Sequence, residues 1–234
     1  MPRVYLQILC LFAGAVFLAG CAVGPSPPPR PSEGPSYFRL AVIDGRLGDD
    51  AAGTERTTGS WGLGSYVRYD NGNANRQLAD ALGREMRGIP GLEVVPRSDF
   101  RLYLAGKERL LEDAAPDMTP EQRRETLEAQ SPVDYGRSLN ADFVLSNTIH
   151  ESYTQQRTVL YVWKSGLDAT IELWDARSGE LVWRNRTADN RALASPTSLM
   201  EDRARRVREA LLAENFFALP LPADKPAGAA AASD

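Results

Sequence analysis

The sequence holds one histidine and two cysteines, Cys10 and Cys21. That scarcity excludes a disulfide framework and a Cys/His zinc centre. Basic charge is not in excess: 27 Lys plus Arg stand against 31 Asp plus Glu, and the isoelectric point is near 5.2. Bulk electrostatic binding to nucleic acid or to an anionic lipid surface is therefore not expected. No apolar run reaches the roughly 20 residues of a membrane-spanning helix. There is no Gly-x-Ser-x-Gly elbow and no glycine loop ending in Gly-Lys-Ser/Thr, so hydrolase and phosphate-loop chemistry lack their usual scaffolds. What remains is a chain of 234 residues, 43% hydrophobic and 25% charged. Those proportions suit a globular domain, and the length suits one domain with tails and a sizeable core.

Residues 1–20 read as a secretory leader. Arg3 is the only charge, and Gln7 is the one polar side chain between Val4 and Gly20. A basic start, a short apolar run and small residues at its end make an export signal. The run closes on Leu18-Ala19-Gly20-Cys21, which resembles a bacterial lipobox. That resemblance implies cleavage before Cys21, diacylation of its sulfur and acylation of the new amino terminus, with palmitate-like chains. Each buried methylene contributes about 0.8 kcal/mol, and two or more chains hold stably where one does not. Cys10 then leaves with the leader, and the mature domain keeps no free thiol. Ala22, rather than Asp, follows the cysteine; by the sorting rule of Gram-negative lipoproteins this implies the outer membrane, periplasmic face.

Residues 21–36 carry the lipidated cysteine and a Pro-rich linker. Six of the fifteen residues from Ala22 to Ser36 are Pro, which gives a polyproline-like spacer reaching about 45 Å at most. Residues 220–234 are of low complexity and are expected to form a disordered tail. The folded domain is expected over 37–219. Its elements read as a strand at Phe38–Asp44, a long Gly-rich loop at Gly45–Asn73 and a helix at Asn75–Gly88. A strand at Leu92–Val95 and a helix capped by Ser98 and running to Asp113 follow. Thr119-Pro120-Glu121-Gln122 is a capping box, and Ser131-Pro132 opens another short helix. Strands follow at Ala141–Ile149 and Val159–Asp175. A turn at Asp175–Gly179 leads to the strand Glu180–Arg186. Ser195-Pro196 starts a last helix with Leu199, Ala204, Val207 and Leu211 on its apolar stripe. Early strands separated by helices and a late hairpin predict an α/β fold with a mixed sheet and packed helices.

Four segments carry a family resemblance. They are Leu40-Ala-Val-Ile-Asp44, Leu92-Glu-Val-Val-Pro-Arg-Ser-Asp99, Tyr135-Gly-Arg-Ser-Leu-Asn-Ala-Asp-Phe-Val-Leu145 and Ile171-Glu-Leu-Trp-Asp-Ala-Arg-Ser-Gly-Glu-Leu-Val-Trp183. In this order they resemble the lipoproteins related to the curli secretion channel subunit. That fold is shared with penicillin-binding-protein activator lipoproteins and the amino-terminal domain of TolB. The resemblance implies a single TolB-amino-terminal-like domain in the cell envelope that binds a protein partner and has no enzymatic role, cofactor or metal. It also implies two alternatives: a subunit of an oligomeric secretion or envelope ring, and a small-ligand or glycan binder. The polar stretch Ser152–Thr158 and the Gly- and Asp-rich stretch Tyr37–Asn73 lack the alternating apolar strands of a lipid-facing barrel. A tethered adaptor is therefore expected rather than a pore.

Trp61, Tyr66 and Tyr69 lie in or beside the Gly-rich stretch Gly59–Tyr66 and are candidate partner contacts, since aromatic side chains commonly anchor interfaces. Trp174 shares a strand face with Thr170 and Glu172 and is a fourth candidate, while core packing is the ordinary role for Trp163 and Trp183. His150 stands next to Glu151 at a strand end, which would permit an acid/base pair; a lone histidine there more commonly sits at a surface or core edge. Arg203, Arg205, Arg206 and Arg208 read as a solvated basic face of the last helix.

Overall fold

The computed structural model describes residues 38–49, 51, 55–59, 65–157 and 162–217. The leader, Cys21, the linker, Trp61 and the tail lie outside the described residues. Eight strands form one mixed sheet, and helices pack on both its faces. In chain order these are β1 (Phe38–Val42), β2 (Arg46–Leu47), β3 (Glu55–Gly59), β4 (Ser65–Asp70), α1 (Asn71–Met86), β5 (Leu92–Val94), α2 (Arg97–Ala114), α3 (Pro120–Glu128), α4 (Pro132–Ser138), β6 (Phe143–Arg157), β7 (Val162–Asp175), β8 (Leu181–Ala192) and α5 (Pro196–Ala213). The expected single α/β domain with a mixed sheet is the one observed. Among the described residues no helix is long and apolar enough to cross a membrane.

β6 organises the sheet. Along one edge it pairs parallel with β1 (Leu40 with Phe143), parallel with β2 (Arg46 with Thr148) and then antiparallel with β4 (Tyr69 with Tyr153). Its other edge pairs antiparallel with β7 throughout, and β7 pairs with β8. β5 adds to β1 in parallel, and β3 adds to β4. Side chains alternate between the two faces of each strand. On the first face, Leu40, Val42, Leu145, Ile149, Ile171 and Leu173 meet Leu78 and Leu82 of α1 and Leu199, Val207 and Leu211 of α5. On the second, Ala41, Ile43 and Val144 meet Phe100 of α2 and Tyr135 of α4. Burying one such Leu, Ile or Phe side chain contributes about 1.5–3 kcal/mol.

Helix starts follow local chemistry. Thr119 and Gln122 form the reciprocal capping box, the Ser131 hydroxyl accepts from Val133 N, and the Ser195 hydroxyl accepts from Ser198 N, each with proline in the first turn. The turn between β7 and β8 places Gly179 at φ 81°, a left-handed conformation that glycine adopts without a Cβ clash.

Several expectations need correction. The segment Gly45–Asn73 is not a plain loop: it holds β2 and the β3–β4 hairpin, whose pairing rests on distant β6 rather than on local periodicity. α1 begins at Asn71, before the expected Asn75. The polar stretch Ser152–Thr158 is, through Arg157, the second half of the fifteen-residue β6. Its polar residues fit a strand because Ser152 is buried with its amide donating to Asn71 Oδ1 at 2.7 Å. Ser98 does not cap α2: the helix starts at Arg97 after Pro96, and the Ser98 hydroxyl donates to Asp99 Oδ1 at 3.1 Å. β8 runs on to Ala192, past the expected Arg186.

The basic run on α5 is not wholly solvated. Arg203 is 3% exposed. Its guanidinium donates to Ala169 O at 3.1 Å and Asn185 Oδ1 at 3.0 Å, and Asp189 lies 3.8 Å away. Burial pushes the Arg203 pKa down, an effect opposed by Asp189. Arg206 reaches the same Asp189 at 2.5 Å, so one carboxylate serves two cations. Trp183 is buried in the first core as expected, whereas Trp163 is 43% exposed.

Candidate binding cleft

On the second face the helices do not cover the whole sheet. Between the sheet floor and the α2–α3–α4 layer lies an open cleft of about 840 Å³. Its floor is Ile43 after β1, Ser146 and Thr148 of β6, and Glu172 and Trp174 of β7. Phe100, Leu104 and Glu108 of α2 form one wall, and Pro120, Glu121, Arg124 and Leu127 of α3 another. Tyr135 closes the end, where its ring meets Phe100 edge-on at 5.7 Å and Tyr103 at 6.0 Å.

Four devices hold the cleft in shape. First, the Tyr135 hydroxyl donates to Leu127 O and so locks α4 to the end of α3. Burial, with Tyr103 adding to it, pushes the Tyr135 pKa up to about 12; Arg46 opposes the shift. Second, Arg46 reaches from β2 across the opening and donates to Gln130 O at 2.5 Å. Third, Asn75 grips the turn after β1: Gly45 N donates to its Oδ1 at 2.7 Å, and its Nδ2 donates to Gly45 O at 2.6 Å. A Cβ at Gly45 would lie 1.4 Å from Asn147 O, so only glycine lets the turn pass β6 this closely. Fourth, Arg97 at the start of α2 donates to Val42 O at 2.7 Å and to Asp80 Oδ1 at 3.0 Å, and pairs with Asp44. That side chain joins β1, α1 and α2 at the cleft's rim.

The lining is amphipathic. Apolar rings supply the floor and end, the hydroxyls of Ser146 and Thr148 supply polar points, and Arg46, Arg76 and Arg124 face Glu108, Glu121 and Glu128 around the rim. Glu172 is engaged by Arg184 at 3.4 Å, and Arg124 lies 3.7 Å from Glu128. The Trp174 indole Nε1 is buried without a hydrogen-bond partner. An uncompensated buried N–H costs about 1–3 kcal/mol.

The sequence candidates separate in space. Trp174 is half-buried on the cleft floor, on the expected face with Glu172. Tyr69 is half-buried on β4, its ring 6.2 Å from that of Tyr153, and it does not line the cleft. Burial, then Glu151 and Tyr69, push the Tyr153 pKa up. Tyr66 pairs through its backbone with Gln156 and Gly59, and its side chain lies outside the described residues, as does Trp61. His150 forms no pair with Glu151. It occupies a β-bulge, where its Nε2 lies 2.8 Å from the Thr170 hydroxyl. Among the described residues no group of three or more His, Cys, Asp or Glu could hold a metal. Sequence reasoning missed Arg46, Arg97 and the acidic rim residues. The signal within reach was the Asp44-Gly45-Arg46 turn at the carboxyl end of a buried strand, a usual place for sites in α/β sheets.

The fold and cleft define a single mixed α/β domain with one amphipathic groove between sheet and helices. No family model and no curated protein matches the sequence. Solved structures of similar fold include the lipoprotein GNA1162 from Neisseria meningitidis, at 13% identity and TM-score 0.46 over 75% of this chain and 99% of that one. They also include the PelC dodecamer from Paraburkholderia phytofirmans, at 15% identity and TM-score 0.39 over 78% and 90%. A third is the LpoB C-terminal domain from Salmonella enterica, at 14% identity and TM-score 0.33 over 68% and 87%. Identities this low carry no residue-by-residue correspondence, and fold alone does not assign function.

Proposed function

We propose that the chain is a lipid-anchored envelope protein, held at the periplasmic face of the outer membrane, that acts as a non-enzymatic adaptor and seats a partner protein in the amphipathic cleft. The observation that carries this reading is the order Leu18-Ala19-Gly20-Cys21, Pro-rich spacer, folded domain with an open groove. A spacer reaching about 45 Å lifts the domain clear of the headgroups without crossing a periplasm. Aromatic side chains beside charged ones are the usual anchors of protein interfaces.

Two measurements test it. Cys21→Ser moves the protein from the membrane fraction to the soluble fraction, and the native protein shows an acylated amino-terminal cysteine by mass spectrometry. An unmodified thiol at position 21, or membrane retention of the variant, overturns the anchor. A photo-crosslinker at Glu121 captures an envelope protein that is not captured when Trp174→Ala is added; capture indifferent to Trp174 overturns the cleft as the seat.

The cleft volume also favours a second reading, a small-ligand or glycan binder, since ligand pockets commonly span about 300–1,000 Å³. Glycan fragments that perturb Trp174 fluorescence, with no protein captured at Glu121, would establish that reading in place of the first.

A further inference from the structure

One end of the cleft collects groups that suit negative charge. Gly45 and Asn75 are joined there by two hydrogen bonds, and each is followed in the chain by an arginine. Arg46 and Arg76 thus flank one joint, and both line the cleft. Arg76 is exposed and makes no ion pair among the described residues. The Arg46 guanidinium bonds a neutral carbonyl, Gln130 O, at 2.5 Å; a carboxylate is a stronger, charge-assisted partner. α1 begins at the same place. Its first turn holds no acidic residue, and the Asp70 side chain at its N-cap makes no capping bond. Gly72 of that turn lines the cleft, whereas Asp70 does not. The first N–H groups of a helix lack partners within it and carry the positive end of its dipole. Asp44, beside Gly45, is already paired with Arg97. A second feature at this end is independent of the charges. Asn147 lines the cleft and is 2% exposed, yet neither its Oδ1 nor its Nδ2 has a hydrogen-bond partner among the described residues. Its amide lies against the Gly45 turn: a Cβ built on Gly45 would come 2.8 Å from Asn147 Cγ. Buried amides are ordinarily bonded, and an unmet one carries its full desolvation cost.

We infer, on the reading of the cleft as a partner's seat, that this end is a carboxylate subsite and that its occupant is an acidic segment of the partner protein. Arg46 and Arg76 supply the charge, and the first turn of α1 and the Asn147 amide supply further N–H donors. The rest of the cleft favours the same occupant. Glu108 and Glu121, on the α2 and α3 walls, make no ion pair among the described residues. An acidic residue is therefore repelled from the walls and drawn to the Arg46–Arg76 end. Beside that end lie the rings of Phe100 and Trp174. A peptide supplies both a carboxylate and an apolar side chain for those rings; a free phosphate supplies neither a chain nor an apolar group.

Nuclear magnetic resonance on the full-length protein in detergent micelles tests the subsite. The probes are acetyl-Leu-Ala-Asp-Glu-amide, its neutral counterpart acetyl-Leu-Ala-Asn-Gln-amide, and inorganic phosphate. The acidic peptide shifts the Asn147 side-chain amide, the Gly72 N–H and the Trp174 indole signals. The neutral peptide binds about tenfold more weakly, as does the acidic peptide to Arg76→Gln, the effect of one lost charge-assisted bond. Arg87→Gln, exposed at the far end of α1, binds as the unsubstituted protein does. Asn147→Leu keeps the side-chain size and removes the unmet amide, so it weakens binding while raising the urea midpoint. A lowered midpoint with binding unchanged would make Asn147 purely structural and remove it from the subsite. Equal binding of the two peptides overturns the subsite, and phosphate binding tighter than the acidic peptide overturns the acidic segment as occupant. The Glu121 photo-crosslinker separates this subsite from the adaptor reading. Capture lost on adding Arg76→Glu supports both, and capture indifferent to Arg76→Glu overturns the subsite alone. No capture, with the acidic peptide still bound and sensitive to Arg76→Gln, overturns the adaptor reading alone.

Discussion

Tyr135 shows how one side chain couples the helix layer to the rim chemistry. Its ring belongs to the second core, and its hydroxyl donates to Leu127 O. The phenol is held neutral, with its pKa pushed up from 10.0 to about 12 by burial and by Tyr103. A raised pKa in the folded state means that the stabilisation is complete below the unfolded value near 10 and is lost as pH rises through the folded value near 12. We expect Tyr135→Phe to cost about 1 kcal/mol at neutral pH, the net worth of one hydrogen bond. Its unfolding free energy falls less steeply than that of the unsubstituted protein between about pH 10 and pH 12. Urea titrations of both proteins across that range check the pair of outcomes, and parallel curves would refute the assignment. The residue scale also shows where sequence reading fails. Arg203 sits in a run of four arginines and looks like surface, yet it is buried by β7 and β8. Its spacing within α5 does set it apart from Arg205: it stands four residues after Leu199 and four before Val207, on the face turned to the sheet. What the helix does not show is how that charge is satisfied, which Asn185 and Asp189 of another element do.

At the scale of elements, legibility followed the range of the interactions. Helices whose starts are written in four consecutive residues were readable: Thr119 to Gln122, Ser131-Pro132 and Ser195-Pro196 all cap as their spacing implies. The β3–β4 hairpin was not readable, because its stability comes from Tyr69 opposite Tyr153, far along the chain, and its glycines suggest a loop. α3 depends on its cap more than most helices do, since only Leu127 of its residues is buried. Thr119→Ala should therefore destabilise this helix locally by about 1 kcal/mol. We expect faster amide hydrogen exchange across Pro120–Glu128 with little change in β6, because a wall of the cleft is loosened while the sheet stays intact. Uniform loss of protection through the molecule would show that the cap matters globally instead.

For the whole molecule, the fold class was legible and the cleft was not. Alternating strands and helices followed by a hairpin pointed to the mixed sheet. The cleft needs Ile43, Phe100, Glu121, Thr148 and Trp174 side by side, and only the tertiary fold brings such distant segments together. Trp174 was identifiable by its face alone. The two cores are separated by a sheet one residue thick, in which Ala41 and Val144 face one core while Leu40 and Leu145 face the other. Such sharing favours one cooperative unfolding transition. We expect denaturation curves from near-ultraviolet and far-ultraviolet circular dichroism to coincide. Separate midpoints would mean that the α2–α3–α4 layer melts independently of the sheet.

The bulge at His150 sets the parity of everything beyond it. β6 pairs Ile149 with Ala169 and then Glu151 with Asp168, so the strand spends one extra residue at that point. Before the bulge odd-numbered residues face the first core; after it even-numbered ones do, which is how Ser152 comes to share that face with Leu167. Flattening the bulge with residue 150 kept in the strand would restore plain alternation and exchange inside for outside along the rest of the strand. Tyr153 would then turn toward α1 and Ser152 toward water, whereas deleting residue 150 would leave Ser152 on its present face. One amino acid thus acts as a phase shifter that lets a polar-looking segment complete a hydrophobic wall.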